Sequence, residues 1–591
     1  MAASRLPNEI LEVISTSMVM ADLRICSGVC RSWQTFFKFV LQRATVHLKF
    51  EVQLRMFFRR RSLHQVRQLR CKFPVAFEAG ELSQLRRHCP LLEWIDFVPW
   101  GQPYDFSGWP QLQQIPPIRT RVELDCLLTS RHCRALHHLV LKDEPLLSLH
   151  ARPSSLRSFG SLQHLELHGM MEALCDTMLR TMHASLPHLL HLVLSNLWLK
   201  SAEEDEEQQH SAEQGADALV LAPDLRSLKL NGSRVSSCWI AQLAHKYPGL
   251  DTLEFSSIEP LHSGSFGPAL VKTIGQLPRL TSLKTNFFDW FHEPHAKMAL
   301  DRMVGRLTQL ELINVSVTPS FSSLIGIVQS HLTAATLKIN HAPPSPPSPS
   351  FLSSLQYCAR LTSLVIHATK DRYFFDSLLD QLTMLETLRL DNAELCLSGE
   401  AHAIPTRPHP LRSLTLEDVS FWPGILDGYV GHHCPGLIDL RLQSCAQVFL
   451  PTDTRAEIRI DLSRHSLRSV EINRLRPIVL TKANYHWRRY SSACSFSTAI
   501  FSLAQLETAD ETWWHIPTPG EQSHAVWTLS AKDIARVTSY RMTTHDWTQT
   551  TAMTREDWTS KENWEKDIPY GCVTLCCQSV AEFTYCDIEW A

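Results

Sequence analysis

A short apolar cassette recurs through most of this chain, and few folds are open to a chain built that way. It reads leucine, two variable residues, leucine, one variable residue, then leucine or a substitute. It occurs as Leu92-Ile95-Phe97, Leu136-Leu139-Leu141, Leu162-Leu165-Leu167, Leu189-Leu192-Leu194, Leu225-Leu228-Leu230, Leu250-Leu253-Phe255 and Leu280-Leu283-Thr285. It continues as Leu307-Leu310-Leu312, Ala334-Leu337-Ile339, Leu361-Leu364-Ile366, Leu385-Leu388-Leu390, Leu411-Leu414-Leu416, Leu437-Leu440-Leu442 and Leu467-Val470-Ile472. From residue 136 the starts are 26, 27, 36, 25, 30, 27, 27, 27, 24, 26, 26 and 30 residues apart. The last two apolar positions are two apart, so they share one face of a short strand. Between strands the rhythm is helical, as in Trp239-Ile240-Leu243-Ala244-Tyr247 ahead of Pro248. One strand and one helix cannot bury their apolar faces alone; stacked neighbours close a continuous core. The expected fold is therefore α/β, a solenoid with a curved parallel sheet on the concave side and helices on the convex side.

This period resembles that of the leucine-rich repeat, ~20–29 residues, and the resemblance implies a right-handed solenoid. Cys89-Pro90-Leu91-Leu92 and Cys434-Pro435-Gly436-Leu437, the latter followed by Leu440, Leu442 and Cys445, are similar to its cysteine-containing subtype. The Asn or Cys ladder usual after the strand is mostly absent.

Ahead of the repeats stand Leu6-Pro7-Asn8-Glu9-Ile10-Leu11, Asp22-Leu23 and Val29-Cys30-Arg31-Ser32-Trp33. Pro7 and Glu9 favour a helix start, and Ile10, Val13, Ile14, Leu23, Ile25, Val29 and Trp33 give apolar faces at helical spacing. Read alone, this is a helical cap sealing the end of the solenoid. In order and spacing it resembles the F-box, a three-helix module that docks on the Skp-type linker of SCF ubiquitin ligases. The resemblance implies that Leu6, Pro7, Ile10, Leu11, Leu23 and Trp33 serve docking or the module's core, and that a cullin scaffold is reached through the linker. The expected organisation is an F-box-like module over 1–45 and a linker, capping region or first degenerate repeat over 46–90. A solenoid over 91–480 and a degenerate, tryptophan-rich cap over 481–591 complete it.

Composition removes several alternatives. The 591 residues carry 57 Lys+Arg against 60 Asp+Glu, a net charge of -3, so bulk electrostatics give no reason to expect nucleic acid or an anionic membrane as partner. Only 21 glycines argue against Gly-rich cofactor loops. No stretch of ~18 apolar residues reads as a membrane span. Met1-Ala2-Ala3-Ser4-Arg5 leads into a segment with no apolar core of a secretory signal. The 17 scattered cysteines then read as reduced thiols in cytoplasm or nucleus. No cofactor and no metal is expected.

Strands ~4.8 Å apart align equivalent positions into columns. The column before the second leucine runs His138, His164, His191, Ser227, Thr252, Ser282, Gln309, Thr336, Ser363, Thr387, Ser413, Asp439 and Ser469. Its Ser/Thr run reads as a polar ladder. The three histidines read as exposed polar residues, as a patch for an acidic partner, or as a metal site for which no carboxylate clearly completes the shell. The next column places Lys229, Glu254, Lys284, Glu311 and Lys338 in alternating sign, which neutralises the stripe. Further on, Arg389 and Arg441 in this column with Arg412 and Arg468 near the strand starts form a basic cluster relieved by Asp439 and Glu471. Guanidinium groups suit carboxylate or phosphate, so an acidic or phosphorylated protein segment is the expected substrate.

Glu203-Glu204-Asp205-Glu206-Glu207 reads as a solvated loop and the Pro343–Pro349 run as a stiff one. Near the end, Leu503-Leu506, Ile534-Val537 and Val580-Phe583-Tyr585 read as degenerate repeats or a last strand. Cys572, Cys576, Cys577 and Cys586 lack paired zinc spacing. The functional expectation is a non-catalytic substrate receptor of an SCF-type ligase. The alternatives are a repeat scaffold outside any ligase and an enzyme with a cysteine nucleophile near Cys572–Cys586.

Overall fold

The computed structural model describes residues 10–11, 14–15, 18, 20–48, 51–58, 63, 65–75, 79–99, 106, 109, 111–146, 153–169, 173–200, 221–260, 263–285, 306–315, 331–339, 355, 358–368, 372–398, 408–449, 457–473, 475–479, 503–507, 511–515, 527–541, 572–585 and 588–590. The chain forms two compact units, Met1–Leu280 and Thr281–Ala591.

The first unit opens with helices Met20–Ser27 and Arg31–Ala44. Leu11, Leu23, Phe37 and Ala44 form their buried core, with Trp33, Phe36 and Val40 packed against it. Parallel pairing starts at once: Thr45–Leu48 pairs with Gln68–Val75, and that strand with Trp94–Pro99. Strands and helices thus begin about 45 residues before the leucine cassette becomes legible. Single parallel bridges from Trp94 to Gln114 and from Gln114 to His138 carry the ladder onward. The strands His138–Lys142, His164–His168, His191–Ser195, Ser227–Asn231 and Thr252–Ser256 then lie side by side in parallel. Their register stacks Leu139, Leu165, Leu192, Leu228 and Leu253 in one row and Leu141, Leu167, Leu194, Leu230 and Phe255 in the next. Every member of both rows is fully buried, each contributing about 1.5–3 kcal/mol.

Connecting helices close this core from sequence signals. Ser236 caps the helix Ser237–Lys246 by accepting from the Trp239 amide at 3.1 Å. Trp239, Ile240, Leu243 and Ala244 are its buried stripe, and Pro248 follows its last turn. Short strands Ala173–Cys175, Trp198–Lys200, Arg234–Val235 and Glu259–Pro260 form a second parallel sheet. Directly after several of the long strands the chain turns through a left-handed residue: Asp143, Asn196, Ser257, Asn392, Asp418 and Ser444 have φ of 52–62°, and Gly232 has 58°. Small polar residues and glycine adopt that conformation most cheaply. Two residues after the last strand leucine's successor, Ser233 and Cys445 donate to the carbonyls of Leu194 and Leu416 at 3.2 Å in each case. Val419 and Ala393 fill the equivalent position elsewhere, which is why the expected ladder is sparse.

In the second unit, strands Ser282–Thr285, Gln309–Val315, Ala334–Ile339, Ser363–His367, Thr387–Asp391, Ser413–Glu417, Asp439–Gln443 and Glu457–Asn473 pair in parallel in that order. Short strands after them, from Arg372–Phe374 to Arg476–Val479, form a second parallel sheet. One cassette is corrected. Ala334 aligns with Gln309 and Ser363, Ala335 with Leu310 and Leu364, and Leu337 with Leu312 and Ile366. The cassette is therefore Leu332-Ala335-Leu337, two residues earlier than its leucine spacing indicates. Small Ala335 in the middle core position disguised it. Thr336 consequently leaves the first polar column and stands beside Glu311 and Val365. A threonine ladder does exist one position before the strands: Thr308 donates to Thr281, Thr333 to Thr308 and Thr362 to Thr333, each onto a backbone carbonyl at 3.1–3.3 Å.

At the carboxyl end the pattern changes. Cys572–Tyr585, which contains Val580, Phe583 and Tyr585, runs parallel to Glu457–Asn473 and to Leu503–Glu507. Antiparallel partners follow at Glu511–His515 and Ile588–Trp590. Ile534 and Val537 lie in the helix Ala531–Arg541, not in a strand.

Candidate functional site

The residues singled out by sequence lie in the amino-terminal module, on the polar side of the sheet within each unit, and near the carboxyl end. In the amino-terminal module Leu11 and Leu23 are buried and Trp33 is half-buried against Phe37, ring centroids 5.4 Å apart. These three belong to the module's core. Ile10 stays 48% exposed, and with it Ile25 at 69% and Val29 at 55%. Leu6 and Pro7 lie outside the described residues. Ile25 and Val29 were legible as apolar at helical spacing, but only the packed helix pair shows that they face outward. Behind this module, Arg67 donates to the Ser15 carbonyl at 2.9 Å and to Glu93 Oε1 at 2.5 Å, all in buried surroundings. That guanidinium ties the helical module to the first strands.

On the polar side of the sheet, register brings His138 beside His164, and His164 beside His191. The first two rings are 4.1 Å apart and the second two 5.6 Å. A carboxylate does complete the group. Glu166 Oε1 lies 3.2 Å from His138 Nε2 and 3.1 Å from His164 Nε2, and its Oε2 lies 3.0 Å from His168 Nε2. His138 Nδ1 meets Gln114 Oε1 at 2.6 Å. Hydrogen bonds from His138, His164 and His168 hold the Glu166 carboxyl far below the usual carboxylate range, against the opposing effect of burial. Partial desolvation of a residue that stays exposed overall, then the neighbouring His164 and Lys229, lower the His191 imidazole. Reading one column at a time missed Glu166; the two-residue period of His164, Glu166 and His168 on one strand face was the available signal.

The alternating stripe forms ion pairs: Lys229 with Glu254 at 3.2 Å, Lys284 with Glu311 at 3.3 Å, and Lys338 with Glu311 at 3.5 Å. Lys338 reaches Glu311 from one step along, since its strand partners are Ile313 and His367. The arginine cluster is more fully neutralised than Asp439 and Glu471 alone allow. Arg389 lies 3.0 Å from Asp391 and 2.6 Å from Glu417, Arg441 3.2 Å from Glu471, and Arg412 4.0 Å from Glu386. Arg468 Nε donates to Asp439 at 2.9 Å. Asp391, Glu417 and Glu386 were the carboxylates overlooked: they come into reach only once the strands are aligned.

Cys572, Cys576 and Cys577 are buried. Burial raises the Cys577 thiol to about 11, and burial with the Glu507 carboxylate raises Cys576, whose Sγ donates to Glu507 Oε2 at 2.9 Å. Thiols held protonated this way are poor nucleophiles. Cys586 lies outside the described residues. Among the described residues no helix is long and apolar enough to cross a membrane.

The F-box domain profile matches residues 3–41. No curated protein matches the chain. Among solved structures the chain is similar to TLR13 in its complex with ssRNA13, at 15% identity over 71% of this chain and 68% of that one, with a TM-score of 0.37. It is similar to the LRR ectodomain of the plant membrane receptor kinase GASSHO1/SCHENGEN3 from Arabidopsis thaliana, at 14% identity over 73% and 46%, TM-score 0.26. It is also similar to an internalin from Listeria monocytogenes, at 16% identity over 71% and 93%, TM-score 0.26. With its own repeating strands and turns beside the profile match, the chain carries an F-box domain at its amino terminus followed by parallel sheet of the leucine-rich-repeat type.

Proposed function

We propose that this protein is the substrate-recognition subunit of an SCF-type ubiquitin ligase, its F-box docking on a Skp-type linker and its repeats holding a target protein. The observation that carries the reading is the folded F-box core with apolar Ile10, Ile25 and Val29 left outside it. Burying such side chains against a partner is worth about 1.5–3 kcal/mol each. The protein itself catalyses nothing in this reading. It raises the effective concentration of target beside the charged ubiquitin carrier, so that encounter becomes proximity. Residues 1–45 serve the linker and the sheets beyond serve the target, in the cytoplasm or nucleus.

For the target, the polar face of the later repeats is the proposed surface. Arg389, Arg412, Arg441 and Arg468 each already hold a carboxylate, so an acidic or phosphorylated segment binds by exchanging for it. A doubly charged phosphate competes better in that exchange than a single carboxylate. His191 offers an exposed ring in the first unit, while His138 and His164 are engaged by Glu166. The test is co-purification with the Skp-type linker: Ile25→Asp with Val29→Asp should abolish it and leave the thermal unfolding profile unchanged. Retained co-purification by the folded double variant would refute docking through this face.

A further inference from the structure

We propose that His138, His164 and Glu166 form a binding site for a divalent transition metal, zinc by its donor set. One donor atom from each of the three side chains, an imidazole nitrogen from either histidine and a carboxylate oxygen, lies within 4.8 Å of the other two. Around a tetrahedral zinc, donors ~2.0–2.1 Å from the ion stand about 3.3–3.4 Å apart. The two nitrogen–oxygen separations here are 3.2 and 3.1 Å, so the donors need to part by only about 0.1–0.3 Å to take an ion.

His138 Nδ1 meets the Gln114 amide oxygen at 2.6 Å, so Nε2 is the ring atom left for Glu166 or for an ion. A cation placed among the three donors takes the place of the protons that bridge them in its absence. Gln114 also supplies what ligating histidines ordinarily have, a carbonyl acceptor on the other ring nitrogen that fixes the tautomer. His168 Nε2, on Oε2 at 3.0 Å, does the corresponding service for the carboxylate and leaves Oε1 for the ion. Two histidines and one carboxylate are a donor set zinc accepts with its fourth position on water. The side chains, 22–31% exposed, leave solvent access for that water.

The arrangement is built by the fold. His138 and His164 sit opposite each other on paired strands, and Glu166 is two residues along on the same face. A bound ion would tie Gln114, His138–Lys142 and His164–His168 into one clamp. The inference is independent of the ligase reading.

The full chain, stripped with a chelator, is titrated with Zn²⁺ against a chromogenic competitor and with Co²⁺ for its ligand-field spectrum. The expected result is one tight equivalent and one Co²⁺ band absent from the variant His138→Asn with Glu166→Gln. Gln114→Ala should keep the stoichiometry and lose about 10–100-fold in affinity. Equal tight stoichiometry in the unaltered chain and the double variant would overturn the proposal. If the variant does not fold, the unaltered chain decides. Zn²⁺ must then protect His138 and His164, but not the exposed His432, from diethyl pyrocarbonate as read by peptide mass spectrometry. Unchanged labelling would mean protons alone bridge the cluster, and the metal site would be rejected.

Discussion

Replacing Lys246 by methionine should open the first unit locally at two neighbouring helices. Lys246 Nζ lies 2.7 Å from Asp176 Oδ1, with the two side chains 1% and 7% exposed. The ammonium stands 5.0 Å from the centroid of the Trp239 ring. Exposed ion pairs are worth at most ~1 kcal/mol. A buried one behaves differently: removing one partner strands the other's charge away from water, at about 3–5 kcal/mol. Lys246→Met keeps the apolar stem and removes only the charge, so the full penalty falls on Asp176. Repeat arrays open locally, so the assay is native-state hydrogen exchange on peptides covering Asp176–Ser185 and Ser237–Lys246. A loss of about 3 kcal/mol corresponds to roughly 150-fold faster exchange, at tenfold per 1.4 kcal/mol. Adding Asp176→Leu should recover most of it, because no charge is then left unpaired. An increase below about fivefold in Lys246→Met, near 1 kcal/mol, would show that the pair acts as a solvated one and refute the burial argument.

Acid should weaken the same region through His183. Burial lowers its imidazole to about 4, beside the Tyr247 hydroxyl at 3.2 Å. The unfolded chain takes up that proton below ~6.5, so the stability contribution is complete above that pH and is lost as pH falls toward about 4, in all about 3 kcal/mol. Thermal unfolding between pH 7.5 and 4.5 should therefore shift more in the unaltered protein than in His183→Gln. The corrected cassette predicts that Leu332→Ala costs about 2–5 kcal/mol, against under about 0.5 for Thr336→Ala; a Leu332→Ala denaturation midpoint as little changed as that of Thr336→Ala would undo the register. Gly249→Ala should destabilise by about 1–3 kcal/mol, since an added Cβ would stand 2.1 Å from the Pro223 carbonyl oxygen; an unchanged melting temperature would show that the backbone yields freely there.

The sequence by itself determined the strands of the leucine cassettes, the rows of buried leucine and the helical module, because periodicity expresses which side chains leave water. The one cassette it misplaced, at Leu332-Ala335-Leu337, failed where alanine fills a core position and leucine spacing ceases to mark the face. Polar arrangements were less legible. The column of His138, His164 and His191 could be named from register alone, but its carboxylate could not, since Glu166 belongs to the adjacent column and is recruited by how far side chains reach. The same holds for Arg389, whose partners Asp391 and Glu417 lie two residues along and one strand over. Only the tertiary structure decided that the arginines are already neutralised, that Ile25 and Val29 face outward while Leu23 faces in, and that Lys246 meets Asp176 across 70 residues of chain. Burial follows from local pattern, whereas pairing depends on distances of a few ångströms between side chains far apart in sequence, which no spacing rule contains.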